Sequence, residues 1–231
     1  MNNIIYNISI IGGIGFLSAW MGILAGVLLS FFIKGKKDRL KGAVFGLIGS
    51  LMIAIVFFEL IPESIETSNI YITSIGIISG IIVSIFLDGK LDYNHLHIPM
   101  DKNYRFLKSG IFMAIAIGIH HVPMGFALGS LMSTNPAKGI HLAMAVIFHG
   151  IPEGLAIGIF FNESNLDVLS LILISIFTSI PLGLSSILGG IISGISPTII
   201  SLSLALAGGM IVYIIFNETL PNAWKTWKGR G

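Results

Sequence analysis

Seven stretches of this chain are each long and apolar enough to cross a bilayer, at about 9–33, 42–63, 70–88, 106–131, 139–162, 167–193 and 198–223. A membrane-spanning helix needs about 20 consecutive apolar residues. Short runs rich in Ile and Val would suit buried strands, but these are too long and too many. Within lipid only helices and closed barrels satisfy their own backbone. The period-two alternation of barrel strands is missing here. The expected fold class is therefore all-α, a polytopic helical bundle forming a single transmembrane domain over residues 1–231. Composition supports this, since only 10% of residues are charged and 54% are hydrophobic, whereas a soluble domain carries about 25% charged residues. The 28 glycines suit close helix packing. Absence of Cys excludes both a disulfide framework and a thiolate metal site. The opening residues Met1-Asn2-Asn3-Ile4 lack a basic region, so no cleaved signal peptide is expected.

The basic residues set an expected orientation. Lys34, Lys36, Lys37, Arg39 and Lys41 follow the first segment. Lys90, Lys102, Arg105 and Lys108 follow the third, and Lys225, Lys228 and Arg230 follow the seventh. These are 12 of the 13 basic residues, all on one side, with Lys138 alone on the other. The positive-inside rule places the N-terminus outside and the C-terminal tail in the cytoplasm of a multi-pass cell-membrane protein. Trp224 and Trp227 beside Lys225 and Lys228 form an interfacial anchor. Scattered in short loops, the basic residues do not form a nucleic-acid face. The loop 89–105, with Asp88 at its edge, holds Asp92, His95, His97 and Asp101. It is either a solvated cytoplasmic linker or a weak metal-collecting loop.

Two repeats carry chemistry. The fourth segment contains His120-His121-Val122-Pro123-Met124-Gly125-Phe126-Ala127-Leu128-Gly129. The fifth contains His149-Gly150-Ile151-Pro152-Glu153-Gly154-Leu155-Ala156-Ile157-Gly158. Both obey H-x-x-P-x-G-x-A-x-G. Residues i and i+4 share a helix face, so His120 lies with Met124 and His149 with Glu153. Each proline frees a backbone carbonyl one turn earlier, which needs a partner in lipid, and a hydrated cation is one such partner. The glycines are expected to let the two helices approach until these faces converge. At about 1.5 Å per residue, both histidines fall near the middle of a core about 30 Å thick. Ionisable groups at that depth are costly and usually functional. Imidazole with carboxylate suits Zn²⁺, Fe²⁺ or Mn²⁺. The plainer alternative is hydrogen-bonded glue between helices.

The second repeat is E-x-x-P. It ends the second segment, Phe58-Glu59-Leu60-Ile61-Pro62-Glu63, and the seventh, Asn217-Glu218-Thr219-Leu220-Pro221-Asn222. These two segments run in opposite directions, so Glu59 is expected near the outer face and Glu218 near the inner face. Inverted repeats of this kind are a common plan for secondary transporters. The alternative is a pair of carboxylates in headgroup water beside terminating prolines. The third and sixth segments have no ionisable residue in their interiors, apart from Asp88 at the end of the third, and are expected to be scaffold.

These motifs resemble those of the ZIP metal-ion transporters, in particular the GufA-like bacterial branch. There the fourth helix typically reads H-N-x-P-E-G and the fifth carries a related P-E-G motif. The resemblance extends over the whole chain, including the His-containing loop and the E-x-x-P ends. It implies alternating-access transport of a divalent metal toward the cytoplasm, with no enzymatic activity. Zn²⁺ heads the candidate substrates, followed by Fe²⁺, Mn²⁺ and Cd²⁺. It implies that His120 and Glu153 are primary ligands, with His149 and His121 beside them and Met124 as a soft neighbour. Glu59, Glu63, Met52, Asn217 and Glu218 then belong to the gates and pathway. Two-metal members use an asparagine, a second glutamate and further acids where this chain has His121, Met124, Gly150 and no acid in the sixth segment. The resemblance thus implies a reduced, His-rich, single-metal site. Members of the family usually have eight helices, and seven are read here. The expected partners are metal ions and the bilayer, without nucleic acid, and a homodimer is an open assembly. Two other functions fit the motifs: an intramembrane zinc hydrolase, and a metal-binding relative that does not transport.

Overall fold

The structure is a computed structural model, and it describes residues 2–91, 102–192 and 196–228. Its spanning helices are α1 (Asn2–Ser30), α2 (Asp38–Thr67), α3 (Ile70–Leu91), α4 (Lys102–Thr134), α5 (Pro136–Glu163), α6 (Val168–Ile191) and α7 (Pro197–Trp227). No strand occurs among the described residues. The helices overrun the apolar runs at several ends, because helical hydrogen bonding continues after the side chains turn polar. The third helix reaches Leu91, so Asp88 is helical rather than part of a loop. Asp92, His95, His97 and Asp101 lie outside the described residues, whereas 89–91 and 102–105, the two ends of the loop read at 89–105, are helical because backbone hydrogen bonding continues past the apolar runs.

Polar side chains start the helices as helix-capping chemistry requires. The Asn135 side chain accepts the Lys138 backbone N–H ahead of Pro136, and Ser196 accepts that of Thr198 ahead of Pro197. Asn69 accepts from Tyr71 and Ile72 at the start of α3.

The helices pack in two groups. Helices α1, α4, α5 and α6 form one, with α1 against α5 and α6, and α4 against α5 and α6. Helices α2, α3 and α7 form the other. Contacts of α4 with α7 and of α2 with α5 join them. Large apolar side chains such as Leu47, Ile78, Phe177 and Leu184 remain exposed around the outside, as a lipid-facing surface requires.

One expectation is corrected here. The motif glycines do not draw α4 and α5 together. A Cβ at Gly154 would lie 2.0 Å from the Ile23 carbonyl oxygen of α1, and one at Gly129 would lie 1.9 Å from the Ser186 carbonyl oxygen of α6. Gly158 meets Ser30 and Gly125 meets Leu182 in the same way. The reason is helical phase. Five and nine residues beyond each histidine, at about 100° per residue, the glycines face away from it. They seat α1 on α5 and α6 on α4, so the histidine faces turn toward each other by default.

Both E-x-x-P segments contain a π-helical turn, at Val56–Leu60 and Ile215–Thr219. The Ile61 N–H bonds the Val56 carbonyl, and the Leu220 N–H bonds that of Ile215, each an i to i−5 bond. Pro62 and Pro221 sit in the first turn of the helix that follows. A proline has no N–H and its ring crowds the carbonyl four residues back. The wider π-turn absorbs that misfit without ending the helix.

Candidate metal centre

Four side chains meet where α4 and α5 face each other. His120, His121, His149 and Glu153 are all at most 1% exposed. His120 Nε2 lies 3.2 Å from Glu153 Oε1, and His149 Nε2 lies 3.0 Å from that same oxygen. His121 Nε2 lies 3.3 Å from Oε2. The imidazoles also touch, with ring centroids 4.6 Å apart for His120–His121 and 5.6 Å apart for His120–His149.

These distances are short, yet none has the angles of a hydrogen bond. All three Nε2 atoms and both Glu153 oxygens are buried without a hydrogen-bond partner. Native proteins rarely leave one buried polar atom unpaired. Five in one place, all of metal-ligand type, form a cluster with the donor set that could hold a cation. One donor atom each from His120, His121 and Glu153 lie within 4.8 Å of one another, a spread compatible with one coordination sphere.

The α6 helix supplies an outer support that the motifs do not reveal. His121 Nδ1 is 3.0 Å from the Thr178 carbonyl oxygen. A carbonyl can only accept, so Nδ1 donates to it, and in the neutral ring this tautomer leaves the Nε2 lone pair on the Glu153 side. This is the usual way a second partner fixes a ligand imidazole. Pro181 lies inside α6 three residues on and interrupts the helical bonding nearby. The scaffold expectation for this helix is therefore corrected, because a backbone carbonyl can serve a site without an ionisable residue.

The remaining candidate residues divide by position. Met52 and Met124 are buried in the apolar core. Glu59 lies 3.7 Å from His141, and Glu63 accepts from Lys138 Nζ at 2.8 Å. This end of the bundle carries the α4–α5 turn. At the other end, Glu218 Oε2 and the Glu218 carbonyl both accept from Asn222 Nδ2, at 3.2 and 2.8 Å. Asn217 Nδ2 donates to Asp88 Oδ2 at 2.8 Å, and the Tyr213 hydroxyl donates to that oxygen at 2.6 Å. A cleft lined by Ser84, Asp88, Ala116, Ile119, Tyr213 and Glu218 leads inward from this cluster. Its innermost α4 residue, Ile119, adjoins His120 in sequence.

Sequence reasoning missed Asp88 as a partner of α7, and it missed the ion pair of Lys41 with Glu163 at 2.6 Å. Asp88 sits at an apolar run's end, where a loop is the ordinary assignment. For Lys41 the only signal was its position inside a helix, three residues after Asp38.

The seven apolar helices and the buried His/Glu cluster define a multi-pass membrane protein with a group of metal-ligand side chains in its interior. The sequence profile of the family described as ZIP Zinc transporter matches residues 95–229, and the chain belongs to that family of divalent-metal transporters. No curated protein matches the chain.

Proposed function

We propose that the protein carries a divalent metal ion, Zn²⁺ foremost with Fe²⁺, Mn²⁺ and Cd²⁺ as alternatives, across the membrane toward the cytoplasm. The observation that carries this is the buried cluster of three imidazoles around one carboxylate, whose Nε2 atoms and carboxylate oxygens have no hydrogen-bond partner. His120, His121, His149 and Glu153 would hold the ion, with the Thr178 carbonyl orienting His121. Imidazole and carboxylate together suit these ions. One carboxylate neutralises half of a dication's charge, so the ion is held without being trapped.

The two helix groups supply the moving parts. The ligands all belong to the α1–α4–α5–α6 group, whereas Glu59 and Glu218 belong to the α2–α3–α7 group. Displacement of one group against the other would expose the ligands first toward Glu59 and then toward Glu218, as alternating access requires. The cleft from Asp88 and Glu218 toward Ile119 supports the second of these openings. The concentration of basic residues at the Lys41 end makes that end cytoplasmic by the positive-inside rule.

The test is uptake of Zn²⁺ into proteoliposomes, with Cd²⁺, Fe²⁺ and Mn²⁺ in parallel. Glu153→Ala is expected to cut uptake by about 100-fold, and His149→Ala by at least about tenfold. Uptake at parental rates by both variants would end this reading.

A further inference from the structure

The α5 helix carries a line of residues at i, i+4, i+8 and i+12: His141, Ala145, His149 and Glu153. Residues four apart lie on neighbouring parts of one helix face. Exposure falls steeply along the line. The His141 side chain is 75% exposed, Ala145 is at 9%, and His149 and Glu153 are at 1% and 0%. One stripe thus runs from the surface at the α4–α5 turn down to the buried cluster, and Ala145 puts only a methyl group in its path.

His141 and His149 are separated by about 12 Å along the helix axis, too far for one ion to touch both. Glu59 approaches the outer end of this line from the facing helix. Its Oε1 is 3.7 Å from His141 Nε2, and it lies within electrostatic reach of both His141 and His149. The π-turn at Val56–Leu60 holds Glu59 there. Nearby, Lys138 engages Glu63 at 2.8 Å and Glu66 at 3.7 Å. Glu59 is left with no lysine or arginine partner among the described residues. At the inner end, both ring nitrogens of His149 are buried and unpaired.

We propose that His141 and Glu59 form a capture site for a divalent cation at the Lys138 end, from which the ion passes to His149 and the buried cluster. This rests on the transport reading above. His141 supplies an imidazole nitrogen and Glu59 a carboxylate oxygen, with water completing the shell of an ion that is still partly hydrated. Neutral imidazole binds the cation only through its lone pair, so loading the site releases any proton that His141 carries.

Because the chain has no cysteine, His141→Cys creates a unique thiol. With purified protein in liposomes, Zn²⁺ is expected to slow its modification by a membrane-impermeant thiol reagent. The protection should persist with Glu153→Ala added and disappear with Glu59→Ala added. Independently, His141→Ala is expected to raise the KM for Zn²⁺ uptake about tenfold at nearly unchanged kcat, as loss of a binding group outside the central step requires. A scaffolding role for this exposed side chain would not separate KM from kcat. Absence of protection in His141→Cys together with a parental KM in His141→Ala would overturn the capture site. If the parent protein moves no metal while thiol protection is present, the transport reading fails and the capture site stands.

Discussion

The α2 and α5 helices run antiparallel and are tied at both ends by a lysine–glutamate pair with the roles exchanged. At one end Lys41 of α2 meets Glu163 of α5 at 2.6 Å, and at the other Lys138 of α5 meets Glu63 of α2 at 2.8 Å. The distances match, but the surroundings do not. Side-chain exposures are 9% and 19% in the first pair and 41% and 21% in the second. Glu66 gives Lys138 a second partner, whereas Lys41 adds only a long contact of 3.9 Å to Asp38. One end is closed by a largely desolvated pair, and the other is held by a pair open to water. Since α2 and α5 belong to different helix groups, each pair spans the interface that the proposed alternating access would shift. In that proposal the same bond would act as a seal at the Lys41 end and as an exchangeable contact at the Lys138 end.

Substitutions should separate the two. The largest effect is expected from Lys41→Met, which leaves the partly buried Glu163 unpaired and should cost about 2 kcal/mol. Denaturant unfolding in detergent would show it, and the double variant Lys41→Met/Glu163→Gln should recover most of the loss. Equal behaviour of single and double variants would refute the sealed pair. An intermediate effect is expected from Tyr213→Phe, which removes the hydroxyl donated to Asp88 and should cost about 1 kcal/mol. The cleft at that end would lose a tether between α3 and α7, measurable as faster amide exchange at the C-terminal turn of α3. The smallest effect is expected from Lys138→Met. It should lower stability by less than about 1 kcal/mol, and this difference should shrink further at high salt. A salt-insensitive loss as large as that of Lys41→Met would erase the distinction between the ends.

The two E-x-x-P turns extend the comparison. Local chemistry makes them alike, since a proline three residues after the glutamate yields a π-turn in both. Their company differs: Glu59 faces His141, whereas Glu218 shares its end of the cleft with Asp88. A cation leaving the buried cluster toward Glu218 would thus meet two carboxylates, and one arriving past Glu59 meets a carboxylate and an imidazole.

Much of this was legible from residues alone. Seven apolar runs imposed helices because the bilayer offers backbone groups no other partner. The pair of H-x-x-P-x-G-x-A-x-G motifs singled out His120, His149 and Glu153, since repeated ionisable residues at mid-depth have few structural uses. His121 entered the candidate set as the motif's neighbouring position, and the structure brings it to 3.3 Å from Glu153 Oε2. The glycines of those motifs were misassigned, because a pattern gives their spacing but not the helix they face. His141 was passed over, as a lone exposed histidine has no signal until Glu59 is placed against it.

The sequence by itself determined the helices, their number among the described residues, the proline sites and the types of candidate ligand, because these follow from short-range rules: apolar length, missing N–H groups and i, i+4 periodicity. Only the tertiary structure decided which faces meet. It set α1 and α6 against the motif glycines, turned the Thr178 carbonyl to His121, brought Asp88 to Tyr213, and buried one lysine pair while leaving the other in water. Those outcomes depend on helix rotation and on contacts between residues far apart in the chain, and no local pattern encodes either.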